Sequence, residues 1–171
     1  MVVLPDADID LAADSAVSAA YGSAGERCMA ISVVVAVGEV AEPLVKAISD
    51  RIDNLKIGPG MQPDSEMGPL ISEEHRSRVV DYINSGQAEG ATVVCDGRMH
   101  SPEQKGFYVG ATLLDNVTTD MEVYRDEIFG PVLSVVRVQS FDDALDVIAE
   151  NQYGNGVAVF TRDGGTARQF Q

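Results

Sequence analysis

Ile31-Ser32-Val33-Val34-Val35-Ala36-Val37, closed by Gly38, is a short, uncharged run dominated by β-branched residues. A run this short and this uniformly apolar reads as a strand buried on both faces, the pattern of a parallel sheet covered on both sides. What flanks it decides the class. Upstream, Asp6 or Asp8 caps a helix whose apolar residues Ile9, Ala13, Ala16, Val17 and Ala20 share one face and which ends at Tyr21-Gly22. Downstream, Pro43 suits a first helical turn, and Leu44, Ile48, Ile52 and Leu55 continue at helical spacing. Turn formers from Gly58-Pro59-Gly60 to Gly68-Pro69 predict a long surface loop. Ser72, with Glu73 and Glu74, opens a third helix that carries Val79, Val80 and Ile83 inward and stops near Gly86 or Gly90.

Farther out, strands are expected over Ala91 to Cys95, Phe107 to Leu114, Pro131 to Val138 and Gly156 to Thr161. Ser140 with Asp143 forms a capping box for a helix burying Phe141, Ala144, Leu145 and Ile148, and a last helix starts after Gly164-Gly165. There is no internal repeat. Strands alternating with helices predict an α/β fold, a three-layer domain with a mostly parallel sheet occupying residues 1–171.

Composition narrows the functions. With 12 Lys and Arg against 27 Asp and Glu, the formal charge is −15, which repels nucleic acid and anionic lipid. A hydrophobic content of 45% excludes disorder, and 171 residues suffice for one cored domain. Val33 to Val37 is far short of the roughly 20 apolar residues that span a bilayer, and no leader pattern opens the chain, so the reading is a soluble, cytoplasmic protein. Cys28 and Cys95 make no paired motif, and His75 and His100 lack ligand spacing, so neither a disulfide scaffold nor a metal site is expected. The apolar start Met1-Val2-Val3-Leu4 and a final helix barely begun at Gln171 read as cut ends of a larger protein.

Four sets of residues carry possible chemistry. Cys28 lies in a small-residue loop immediately after Arg27; a cation, a helix end or backbone amides turn such a thiol into a nucleophile, and a buried structural thiol is the other reading. Cys95 ends a strand beside Asp96, which discourages its thiolate. Glu127 and Phe129, in a turn, offer a carboxylate to ligand hydroxyls and a ring to a planar group, or else a solvated acid and a core aromatic. Asn151 and Asn155, around Tyr153-Gly154, suit either a ligand or a turn. No Gly-rich dinucleotide fingerprint, phosphate loop or nucleophile elbow is present, so the main binding unit of any dinucleotide lies elsewhere.

Three ordered motifs, Gly25-Glu26-Arg27-Cys28-Met29-Ala30, Glu127-Ile128-Phe129-Gly130-Pro131-Val132, and Asn151-Gln152-Tyr153-Gly154 leading into Val159-Phe160-Thr161, resemble the catalytic domain of the aldehyde dehydrogenase family. Leu4-Pro5-Asp6-Ala7-Asp8 and Gly68-Pro69 extend the likeness over essentially the whole chain. Arg27 before the cysteine and Tyr153-Gly154-Asn155-Gly156 resemble its CoA-acylating, methylmalonate-semialdehyde branch. The resemblance implies that Cys28 attacks an aldehyde and becomes a thioester after hydride transfer to NAD, with its own N–H as half of an oxyanion hole. It further implies that Glu127 holds the nicotinamide ribose, that Phe129 lies against the nicotinamide, that Arg27 binds the substrate carboxylate, and that CoA takes the acyl group from a homo-oligomeric enzyme. Glu26 departs from the Gln expected there, which sets a carboxylate beside Arg27. Two other readings remain open: a hydrolytic aldehyde dehydrogenase, and a non-catalytic binding or assembly module.

Overall fold

A computed structural model describes residues 1–100 and 105–171. One six-stranded sheet organises the chain, built from β1 (Val2–Val3), β2 (Val33–Val37), β3 (Thr92–Cys95), β4 (Thr112–Asp115), β5 (Val132–Val138) and β6 (Val159–Phe160) in the spatial order β3-β4-β5-β2-β1-β6. Every pairing is parallel except β3 with β4 at one edge. The helices are α1 (Ile9–Tyr21), α2 (Ala41–Ile52), α3 (Glu73–Glu89), α4 (Glu122–Arg125), α5 (Phe141–Glu150) and α6 (Gly164–Phe170). None is long and apolar enough among the described residues to cross a membrane.

The three layers follow from the alternation of side chains along β2. Val34 and Ala36 join the larger core, with Ala12, Ala16, Leu44 and Ile48 from α1 and α2, whereas Val35 and Val37 face Ala144 of α5 in a smaller one. Leu44 and Ile48 are wholly buried, each stabilising the fold by roughly 2 kcal/mol through apolar transfer alone. The expected caps are present. Asp8 accepts from Leu11 N–H, Ser72 from His75 N–H, and Ser140 and Asp143 form the reciprocal box. Gly90 closes α3 in the left-handed region at φ 110°, which makes it, rather than Gly86, the end of that helix.

Several boundaries differ from the sequence reading: α2, for one, ends at Ile52, short of Leu55. A strand not read in the sequence is also present, for Val2 and Val3 pair between β2 and β6, wholly buried. Met1 N donates to Val33 O at 2.7 Å, continuing the β1–β2 ladder. The predicted strand Phe107 to Leu114 shrinks to its last part, because Gly110 N–H bonds Gly97 O instead of a neighbouring strand. Those two backbones touch so closely that a Cβ on Gly97 would lie 1.9 Å from Gly110 O. The strand expected from Gly156 is only Val159–Phe160, since its partner β1 offers only Val2 and Val3. Likewise β2 starts at Val33, because Ile31 N–H turns back to Ala19 O at the end of α1.

Candidate active site

Each of the three motifs singled out in the sequence runs directly into a parallel strand: the Cys28 loop into β2, the Glu127 turn into β5, and the Asn151–Gly156 segment into β6. Parallel strands begin at the same edge of a sheet, so the motifs converge at the amino ends of β5, β2, β1 and β6. They line one cleft of about 430 Å³ there, with Arg27, Cys28, Glu127, Phe129, Tyr153 and Asn155 in its wall.

The cysteine loop is built from unusual backbone. Ser23, Ala24 and Gly25 have φ 54°, 54° and 72°, a single left-handed turn, and the two non-glycine residues each cost on the order of 1 kcal/mol. Gly25 is obligatory for a second reason, since a Cβ there would meet Gly130 O at 2.2 Å. This contact fastens the cysteine loop to the Glu127–Pro131 turn. Arg27 Nη2 donates to Ser18 O and Ala19 O, at 3.0 and 2.9 Å, and so caps the carbonyl end of α1. Ala30 N–H then bonds Arg27 O at 3.1 Å, which places Cys28 and Met29 at the centre of a tight turn. Cys28 is exposed there, so the alternative of a buried structural thiol is set aside.

Glu26 points away from Arg27. Its Oε1 accepts from Ile71 N–H at 3.3 Å and lies 3.5 Å from His75 Nε2, so the departure at this position leaves Arg27 without a carboxylate partner on its own loop. His75 is buried on α3 and bonds Phe129 O at 2.7 Å. A carbonyl only accepts, so Nε2 carries the proton and Nδ1 accepts from Arg78 Nη2 at 2.9 Å. Phe129 itself is held at φ 55°, a backbone state that bulky residues rarely adopt. Its ring is 38% exposed, not a core aromatic. Glu127 is exposed beside it, with no hydrogen-bond partner for its carboxylate among the described residues.

The third segment reaches across to the first. Asn155 Nδ2 donates to Cys28 O at 2.8 Å, and Gln152 Nε2 bonds Arg125 O. Nothing in the local sequence marks the Asn155 contact or the role of His75, because each partner lies far away along the chain and is a backbone carbonyl, invisible to residue type. Cys95 stands apart from the cleft. Its Sγ lies 3.2 Å from Ser49 Oγ, and burial pushes its thiol pKa up, with Asp53 adding to the shift and the Ser49 hydroxyl opposing it. The direction matches the expectation, although burial is the main cause and Asp96 is not among the contributors.

Left-handed backbone on both sides of the cleft, an exposed cysteine on a tight turn and an unpaired carboxylate in the same wall make this a candidate site for covalent chemistry. Comparison with known proteins gives the family. The model of the aldehyde dehydrogenase family matches residues 1–171, and the chain belongs to that family. It is 48% identical over 170 residues to the malonate-semialdehyde dehydrogenase of Halalkalibacterium halodurans, covering 99% of this chain and 35% of that protein. The crystal structure of methylmalonate-semialdehyde dehydrogenase from Oceanimonas doudoroffii superposes with a TM-score of 0.96 at 48% identity, over 99% of this chain and 35% of the other. A protein of Sinorhizobium meliloti described as the same kind of dehydrogenase, and solved with NAD, superposes at 0.97 with 47% identity and the same coverage. The chain thus spans about a third of the length of these relatives.

Proposed function

We propose that this chain is the catalytic domain of an NAD-dependent, CoA-acylating dehydrogenase that oxidises malonate semialdehyde or its methyl derivative. The observation that carries the reading is the exposed Cys28 on its tight turn, in one cleft with Glu127, Phe129 and the Asn151–Gly156 segment. Cys28 Sγ adds to the aldehyde carbon, and the developing oxyanion takes the Cys28 backbone N–H as one of its donors; losing one such donor typically costs about 10²–10³ in rate.

The residues present fit one end of a nicotinamide nucleotide. Glu127 offers an unpaired carboxylate for vicinal ribose hydroxyls, and the exposed Phe129, whose backbone carbonyl His75 holds, offers a flat apolar face beside it. NAD, when bound, supplies the hydride acceptor that leaves the acyl group on Cys28 as a thioester. The reading assigns its main binding surface to a part of the enzyme outside these 171 residues, in keeping with the shared third of the relatives' length.

Arg27 serves the substrate's carboxylate. Its Nη2 is committed to the end of α1, which holds the guanidinium in one orientation, and the described residues give Nε and Nη1 no partner, which leaves these nitrogens available to an anion. This local cation works against a chain charge of −15, which by itself repels both a carboxylated aldehyde and CoA. The β-carboxylate leaves as CO2, a proton from solvent replacing it on the α-carbon, and the CoA thiol then takes the acyl group from Cys28 Sγ, giving acyl-CoA and a free Cys28 thiol.

The intact enzyme is tested by following NADH with malonate semialdehyde, methylmalonate semialdehyde and a simple aldehyde, each with and without CoA. Turnover that requires CoA and favours the carboxylated substrates is expected. NADH formed equally well without CoA identifies a hydrolytic aldehyde dehydrogenase instead.

A further inference from the structure

The turn that carries Cys28 is closed at its ends but not, by itself, at its centre. Ala30 N–H on Arg27 O fixes the first and last residues. The central Cys28–Met29 peptide remains the variable part, because the two common tight turns differ by a flip of this peptide that leaves the closing bond intact. A flip changes ψ of Cys28 and exchanges the Cys28 carbonyl for the Met29 N–H on the same face. It therefore changes the dipole closest to the nucleophile while the thiol stays where it is.

Asn155 acts on this peptide. Its Nδ2 donates to Cys28 O at 2.8 Å from a segment 127 residues away in sequence. As the amide stands, Nδ2 meets the Cys28 carbonyl, and a Met29 N–H presented in its place would set donor against donor until the amide turned over to offer Oδ1. The donor arrives on a segment that is itself tied, through Gln152 Nε2, to Arg125 O. Gly156 follows immediately, where a Cβ would approach Met29 Cε to 3.3 Å, so the two loops are in close contact. The bond is exposed, and exposed hydrogen bonds add little net stability; what this one fixes is a choice between two turn conformations.

We infer that Asn155 is a positioning residue for the nucleophile: it locks the central peptide of the Cys28 turn and thereby fixes the peptide dipole that lies next to Sγ and to the oxyanion that acyl chemistry develops there. The inference rests on Cys28 being the nucleophile of the proposed reaction. Asn155 touches neither substrate nor cofactor in this role.

Two thiol reactions on the intact protein separate positioning from a merely structural part. Acylation of Cys28 by an activated ester such as p-nitrophenyl acetate develops an oxyanion, whereas alkylation by iodoacetamide does not. In Asn155→Ala and Asn155→Asp, acylation of Cys28 is expected to slow about tenfold or more, with alkylation changed less than about twofold and the thermal midpoint unmoved. NMR supplies a readout free of chemistry: a scalar coupling across the hydrogen bond from the Asn155 side-chain nitrogen to the Cys28 carbonyl carbon, lost in Asn155→Ala together with a shift of that carbon. Acylation unchanged in both variants overturns the inference. So does an equal loss of acylation and alkylation, which marks a loop that has merely loosened. If wild-type Cys28 accepts no acyl group while the coupling is present, the nucleophile assignment has failed and the inference falls with it; a missing coupling beside normal acylation sinks the inference alone.

Discussion

Cys28 sits in the turn that leads into the central strand β2, whereas Cys95 closes the edge strand β3, and the surroundings of the two thiols are alike in one respect and opposed in the rest. Both lie near a pair of glycines whose backbones abut: Gly25 against Gly130 in the first case, and Gly97 against Gly110 in the second. At Cys28 the close approach fastens two cleft loops together, and left-handed backbone at Ser23, Ala24 and Phe129 accompanies it. Near Cys95 it closes an edge of the sheet, and the one non-glycine residue of positive φ on that edge among the described residues is Asn116, beside Thr92 at the other end of β3. Cys28 is exposed; Cys95 is half-buried against Ser49 with its thiol held in the neutral form. The difference teaches that the same packing device serves structure or chemistry according to where the neighbouring thiol is left, and three of the four non-glycine residues of positive φ among the described residues, Ser23, Ala24 and Phe129, lie in the two loops that carry the cleft.

The strongest way to break this contrast is to delete each sulfur. Cys28→Ala is expected to lower turnover of the intact enzyme by at least about 10³-fold. Cys95→Ala should leave turnover within about twofold and cost on the order of 1 kcal/mol in denaturant unfolding. Equal losses of activity would falsify the division of roles.

The glycine pairs come next. Alanine at Gly25 or at Gly97 places a Cβ within 2.2 or 1.9 Å of a carbonyl oxygen, and each should destabilise the fold by about 3 kcal/mol. Only Gly25→Ala should also reduce kcat at a temperature where the variant is still folded. Loss of kcat in folded Gly97→Ala would show that the two regions are coupled after all.

Reactivity is a gentler probe. Limiting iodoacetamide followed by mass spectrometry should label Cys28 at least about tenfold faster than Cys95 at neutral pH, because Cys28 is exposed and burial raises the thiol pKa of Cys95. Faster labelling of Cys95 reverses the assignment.

The smallest effect is alkaline. The folded Cys95 thiol titrates above its ordinary value, so the folded state keeps a proton that the unfolded chain gives up. Its contribution to stability is complete below the ordinary thiol pKa of about 8.5 and is lost as pH rises through the higher folded value. Urea midpoints measured from neutral to alkaline pH should fall less steeply in Cys95→Ala than in Cys28→Ala.

Much of the fold was legible from the sequence. Helix spacing, the Asp8, Ser72 and Ser140 caps and the apolar run of β2 are local signals, and the elements they predicted are present. The two-residue strand β1 was illegible and β6 was read too long, because a strand that short is bounded by the neighbour it pairs with rather than by its own pattern. The candidate site was read from residue types: a cysteine after an arginine, a carboxylate before an aromatic, and asparagines around a glycine. Their meeting in one cleft was implicit in the topology, since each motif precedes a parallel strand.

By itself, then, the sequence determined the α/β architecture, the acidic surface, the absence of a paired-cysteine scaffold and the family, for these depend on composition, period and short motifs. Only the tertiary structure decided which thiol is exposed, that Glu26 turns from Arg27 toward His75, and that Arg27 spends one nitrogen on the end of α1. It alone showed that Asn155 and His75 act on the backbones of Cys28 and Phe129. The physical reason is common to all of these. Backbone carbonyls are the same at every residue, so which side chain reaches which carbonyl is fixed only by the path of the chain through the sheet.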